Sequence, residues 1–570
     1  MFNWIPIYTE TRPDNAIKIR IELSSDNRIK LHFINKNRWI QAGNCYATGS
    51  AFLNGEIYSS SRLANLLSSQ ETFERFGNQL RALNGFFASI LTYDSHVFLA
   101  VDHVRSLPLF YGIQGERIFV SDDAFWVRDQ VHDNDPDGLA VAEFLLTRSV
   151  SGNDTLSASV KQVQAGEAIA LTVTSDGVRK EVDRFYIFDY GNPTQQSFSE
   201  LSVKSDSCLL AAFKRLAEYA NGSTIVVPSG GGLDSRLILL MLKKVGYDNI
   251  LAFTYGRHSY QEVSISRKVA SALGIPWQFI PYSNEDWRRW YNTNEWSEYS
   301  KFASRLSSVP HLQDWPAVWE LKKQGLIPEN SVFAAGQACT PSDSTHRLPV
   351  EWLSMREVNA DELAGRLCEA YCTLLDWSTQ ETEIRRQLPL KMKSVLNPPP
   401  TLTPAQAIGL FDRWWWESSW AKFIVNSVRV YEFWGYRWWL PLWDIELVHF
   451  WRALPFDQRL GRRFEKQHVR NLETNMTGKK PIPNASAYDI APRLVGPLDK
   501  LHLRRVASRI RARREYRTHR FAWYGLIPEN LYYSSFHGKE NINTYLANQT
   551  IKQTFPQWKI PERLDFLTRT

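Results

Sequence analysis

Apolar positions alternate with period two over residues 17–23, and short apolar runs stand at 98–101 and 118–120. This is the pattern of half-buried and buried strands joined by turns. It predicts a strand-rich first domain over residues 1–188. Residues 189–197 (DYGNPTQQS) are rich in Gly, Asn and Pro and predict a boundary. From 198 to 220 the apolar period is helical. A second domain, 198–570, then opens with an apolar run at 224–227, a glycine loop and a helical stretch over 236–245. A second apolar run at 250–255, a helical stretch over 262–273 and a third run at 277–280 come next. Strand, helix, strand, helix, strand predicts an α/β domain with a doubly wound parallel sheet. Beyond about residue 350 the pattern is mainly helical.

A chain of 570 residues exceeds what one core usually supports, which agrees with two or three domains. Many of the 22 tryptophans cluster between Trp414 and Trp451, so one region is unusually aromatic. That block suits either a helical core or a stacking platform for a sugar or peptide. The five cysteines (Cys45, Cys208, Cys339, Cys368, Cys372) show no pairing pattern and no metal spacing, apart from Cys368 and Cys372 four apart. Such usage predicts a reducing, cytoplasmic setting. No secretory leader and no membrane-length apolar run is read.

Net charge is +7, concentrated in residues 500–520, which hold nine Lys/Arg against one Glu. A loosely amphipathic basic helix is expected there, either solvated or resting on an anionic membrane surface or phosphorylated substrate. No nucleic-acid motif accompanies it, so nucleic acid is not expected as a partner.

The sharpest signal is Pro228-Ser-Gly-Gly-Gly-Leu-Asp-Ser-Arg236 between a strand and a helix. Ser229, Gly230, Gly231 and Gly232 let backbone N–H groups approach an oxyanion, and the helix N-terminus adds positive partial charge. Asp234 is suited to hold Mg²⁺ and Ser235 to hydrogen-bond phosphate. No Lys follows the glycines, which disfavours a simple γ-phosphate kinase loop.

This loop resembles the Ser-Gly-Gly-x-Asp-Ser pyrophosphate loop of ATP pyrophosphatases such as asparagine synthetases. Aligned on Asp234-Ser235, the motif's first serine falls on Gly230. The resemblance continues in Phe253-Thr-Tyr-Gly-Arg257 and the helix after it, most like synthetases of surface-polysaccharide gene clusters, and implies Tyr255 and Gly256 at the adenine and ribose. Leu440-Pro-Leu-Trp-Asp444 resembles the family's Pro-x-x-Asp segment. Phe464-Glu-Lys-Gln-His-Val-Arg470 resembles the segment whose lysine contacts pyrophosphate, which implies Lys466 as a catalytic cation beside Asp234. Ala335-Gly-Gln-Ala-Cys-Thr-Pro-Ser-Asp343 stands where asparagine synthetases read Gly-Glu-Gly-Ser-Asp. Gly336 then joins the nucleotide site. Gln337 replaces the glutamate and cannot act as a base. Thr340 replaces the aspartate, and Asp343 is the expected second metal ligand.

The first domain resembles a class II glutamine amidotransferase, an αββα sandwich, in Leu53-Asn-Gly-Glu-Ile-Tyr58, Leu83-Asn-Gly-Phe-Phe and Val101-Asp-His-Val-Arg-Ser-Leu-Pro-Leu-Phe-Tyr111. That family's nucleophile is a cysteine after the initiator Met, where Phe2 stands here, so glutaminase activity is expected to be absent. β-Lactam synthetases and lasso-peptide cyclases share this loss. The expectation is an ATP- and Mg²⁺-using, AMP-forming ligase that makes an amide from a carboxylate and ammonia or an amine, on a uronic-acid sugar. Intramolecular amide closure and a catalytically dead scaffold stay open, as does a homodimer.

Overall fold

The computed structural model describes residues 21–22, 28–188, 196–337, 349–375, 382–484, 504–535 and 542–558. Thr340, Asp343 and most of the 17–23 stretch lie outside them.

The first domain holds two sheets. One runs, edge to edge, Ile21–Glu22, Ile29–His32, Arg117–Ser121, Phe110–Gln114, Val160–Gln162. The other runs Gly177–Asp183, Ala168–Thr174, His96–Val101, Asn84–Thr92, Cys45–Leu53, Ile40–Ala42. Side chains alternate across a strand, so each sheet offers an apolar face. Ile29, Leu31, Ile118 and Val120 of the first sheet share one buried cluster with Ile90, Leu99, Ile169 and Leu171 of the second. The far face of the second sheet is covered by helices Ser60–Ser68 and Phe73–Arg81, through Leu63, Leu67, Phe76 and Leu80. Helix Ala124–Gln130 packs on strands of the first sheet.

The second domain is built on five parallel strands: β1 (Ile225–Pro228), β2 (Ile250–Gly256), β3 (Trp277–Pro281), β4 (Val332–Ala334) and β5 (Arg437–Trp439). β1 and most of β2 are buried, which is why they read as unbroken apolar runs. The order across the sheet is β3-β2-β1-β4-β5. The winding therefore reverses between β1 and β4. In open parallel sheets, ligands bind in the crevice at the carboxyl ends of the strands at such a switch point. Here β1 ends in the glycine loop and β4 ends in Gly336 and Gln337.

The aromatic block is core. Trp414, Trp416 and Trp443 are among the largest fully buried side chains, and Trp416 Nε1 donates to His103 O of the first domain at 2.8 Å. Trp415–Ile424 winds as π-helix and is buried almost throughout. Asp444, also buried, clamps the two domains rather than facing a ligand. Arg215 reaches it through Nε at 2.7 Å and Nη2 at 2.8 Å, and Asn84 Nδ2 donates to it at 3.1 Å. Among the described residues no helix is long and apolar enough to cross a membrane.

Candidate active site

The glycine loop joins β1 to helix α1 (Leu233–Lys244). Its serine end is pinned to β2: Ser229 N donates to Phe253 O at 2.8 Å, and Thr254 Oγ1 donates to Ser229 O at 2.5 Å. Gly231 has φ +74°, a left-handed conformation that favours glycine, and a Cβ there would lie 2.9 Å from Ile265 Cγ2. Gly232 caps α1 without a side-chain hydrogen bond, so the helix presents first-turn N–H groups at the end of the loop. Gly336 is a second glycine that geometry demands. A Cβ there would sit 2.9 Å from Ser235 N and 3.0 Å from its Cα, so only glycine lets β4 abut the start of α1.

These pieces line a cleft of about 250 Å³, which includes Ser229, Gly230, Gly232, Asp234, Ser235, Tyr255 and Gly336. Residues named separately from sequence thus meet in one place. Tyr255 stacks on Tyr282 with ring centroids 5.3 Å apart at 21°. Gly256 lies beneath a neighbouring segment: its φ is +127°, a Cβ would be 2.9 Å from Arg520 O, and Arg257 N donates to that oxygen at 2.9 Å.

Lys466 stands exposed on helix α2 (Arg463–Thr477) and is not among the residues lining the cleft. The cation that reaches Asp234 is Arg462, one residue before that helix, at φ +59°. Its Nη2 bonds both Asp234 Oδ1 and Glu465 Oε1, and its Nε bonds Glu465 Oε2 at 2.6 Å. Burial, reinforced by the Asp234 charge, pushes the Glu465 carboxyl up to about 8, against the pull of Arg462. Among the described residues no three His, Cys, Asp or Glu side chains cluster as a metal cage. Asp234, which lines the cleft, still fits Mg²⁺, which takes one or two carboxylates and completes its shell with water and substrate phosphate.

Three further lining groups carried no motif in the sequence. Arg520 ends the basic run, yet it turns inward, with Nη1 2.9 Å from Glu262 Oε1 and its guanidinium over the Phe521 ring. Burial raises the Glu262 carboxyl, and Arg520 opposes this. Asp314 and Tyr431 meet in the lining of the cleft, with Tyr431 OH donating to Asp314 Oδ2 at 2.7 Å. Gln337 lines the same cleft. Its Oε1 accepts from Ser427 Oγ at 2.6 Å, so the carboxamide is left with its NH₂ as a donor.

Residues 52–186 match the family described as a glutamine amidotransferase domain. That match falls within the first domain. Over 70 residues the chain is 33% identical to a 7-cyano-7-deazaguanine synthase of Polynucleobacter asymbioticus, covering 12% of this chain and 28% of that enzyme. Among solved structures, an NH3-dependent NAD synthetase from Campylobacter jejuni superposes with TM-score 0.19 and 11% identity, covering 26% of this chain and 60% of that one. A glutamine phosphoribosylpyrophosphate amidotransferase from B. subtilis gives TM-score 0.19 and 13% identity, over 53% of this chain and 64% of that one. The chain thus spans under a third of the curated relative and about three-fifths of either solved structure. Superpositions this slight support no functional assignment.

Proposed function

We propose that the chain is an ATP-dependent, AMP-forming ligase of the asparagine-synthetase type, joining a carboxylate to ammonia or a small amine. The observation that carries this reading is the glycine loop, from Ser229 to Ser235, at the β1–β4 switch point. The N–H groups of the loop and of the first turn of α1 cradle the β- and γ-phosphates, where backbone dipoles need no reorganisation as charge develops. Asp234 is the residue that would hold Mg²⁺, whose contribution when bound is neutralisation of phosphate charge. Arg462, bonded to both Asp234 and Glu465, keeps the Asp234 carboxylate in place. Tyr255 gives the adenine a flat apolar face.

A carboxylate oxygen of the acceptor attacks the α-phosphorus, the bond to the bridging oxygen breaks, and pyrophosphate leaves. The amine nitrogen then attacks the acyl carbon. The C–N bond forms, the C–O bond to AMP breaks, and the nitrogen loses a proton. Gln337, with only its NH₂ free, donates a hydrogen bond to the acyl oxygen rather than taking that proton.

The acceptor we favour is a uronic-acid sugar, on the likeness to polysaccharide-cluster synthetases. The cytoplasm is the compartment this chemistry suits. In this reading ammonia or a free amine, not glutamine, is the nitrogen source. The test is hydroxylamine trapping. Incubation with ATP, Mg²⁺, glucuronate and hydroxylamine is expected to yield hydroxamate and AMP in equal amounts. ADP in place of AMP overturns the reading.

A further inference from the structure

Asp314 occupies the N-cap position of helix Trp315–Lys323, yet it makes no capping hydrogen bond. An aspartate there ordinarily accepts from a first-turn N–H, and that bond is worth about 1 kcal/mol. This one has turned into the cleft. Its side chain is only 3% exposed. Its surroundings are aromatic rather than cationic. Tyr255, Tyr282, Tyr299 and Tyr431 all feel its negative charge, which adds to burial in holding their phenols un-ionised.

A buried carboxylate is costly unless its oxygens are satisfied. Oδ2 has the Tyr431 hydroxyl. Oδ1 accepts no hydrogen bond among the described residues. The nearest cation-forming group, His311 Nδ1, lies 3.7 Å from Oδ1, beyond hydrogen-bonding distance. That nitrogen is likewise buried and unbonded among the described residues. The cleft therefore holds groups of opposite character. The glycine loop offers backbone N–H groups to anions. Asp314 offers a desolvated carboxylate with a free oxygen, and the carboxamide of Gln337 lines the same cleft.

We propose that Asp314 is the amine subsite of this cleft: it receives ammonium or a small primary ammonium ion and accepts the proton released as nitrogen attacks the acyl carbon. This rests on the ligase reading and names its second substrate class. Asp314 Oδ1 pairs with the incoming cation, completing its own hydrogen bonding. The amine sheds its extra proton to solvent before closure and attacks as the neutral base. As the C–N bond forms and the bond to AMP breaks, the remaining N–H proton passes to Asp314 Oδ1. From there it leaves by way of His311, whose Nδ1 faces the same oxygen. Tyr431 holds the carboxylate in orientation through Oδ2, which makes it a positioning residue. The base that Gln337 cannot be is thus supplied from a different helix.

The experiment separates the two half-reactions. With ATP, Mg²⁺ and glucuronate, exchange of labelled pyrophosphate into ATP reports adenylation alone. Amide formation from ammonium reports the second step. Asp314→Asn is expected to keep the exchange rate within about threefold while losing ammonium-dependent amide formation by about 10²–10⁴-fold, the usual worth of a positioned proton acceptor. Hydroxylamine, a neutral nucleophile at pH 7, is expected to restore product in this variant. Tyr431→Phe should raise the KM for ammonium and leave exchange intact. Undiminished amide formation by Asp314→Asn overturns the subsite, as does a loss of exchange and of hydroxylamine rescue along with it. Absence of exchange in the unaltered protein removes the ligase reading itself, and the subsite with it.

Discussion

At the scale of single residues, the site is governed by charges brought out of water. Glu465 is the clearest case. Its carboxyl is raised to about 8 in the folded protein from the ordinary 4.5, so the native state keeps a proton that the unfolded chain has lost. Stability then falls as pH rises between those two values. Urea midpoints should decrease from pH 5 to pH 8 in the unaltered protein. Glu465→Gln, which cannot ionise, should flatten that decline, and an equal slope in both proteins would contradict the assignment. Asp314 and Arg462 show why such residues escape a reading of the sequence. Neither belongs to a motif: the fold sets Arg462 against Asp234 and puts Asp314 in the lining of the same cleft, both far from the glycine loop along the chain. Lys466 illustrates the converse: its neighbours in sequence resemble a pyrophosphate-binding segment, but the helix turns it to solvent while Arg462 faces Asp234.

At the scale of elements, the parallel sheet was the most legible part. Strands buried on both faces read as apolar runs, and the intervening helices read by their own period, so β1 to β3 fall where the pattern puts them. β4 and β5 are three residues each and leave too short a trace to find. Yet β4 completes the switch point, and its Gly336 meets α1 backbone to backbone. A methyl group there has only backbone and Ser235 Cβ to push against. Gly336→Ala should cost about 1–3 kcal/mol, the range for overpacking a tight contact. It should also weaken binding of a non-hydrolysable ATP analogue, measured by calorimetry. Unchanged affinity would show that this contact does not shape the cleft.

At the scale of the whole molecule, the buried aromatic block and the Asn84–Asp444 bond, with Asp444 clamped by Arg215 of its own domain, fasten the amidotransferase-like domain to the domain with the cleft. The tryptophan cluster was visible in composition, but composition cannot tell a platform from a core. Burial decides for core. Removing one partner of a buried pair leaves an uncompensated charge, so Arg215→Ala should lower unfolding free energy by about 3–5 kcal/mol. A urea melt within about 1 kcal/mol of the unaltered protein, on the order of a surface pair, would deny the clamp. On the proposed reading the first domain is a packed support, and incubation with glutamine should release no glutamate above background. Measurable glutamate would restore a glutaminase role to it.

The central claim is that the cleft transfers an adenylyl group to a carboxylate, and oxygen tracing tests it directly. With glucuronate labelled by ¹⁸O in its carboxyl group, turnover in the presence of ammonium should place one ¹⁸O in the phosphate of each AMP released, as read by mass spectrometry. AMP free of label, with the isotope in inorganic phosphate or retained in the product, would contradict it.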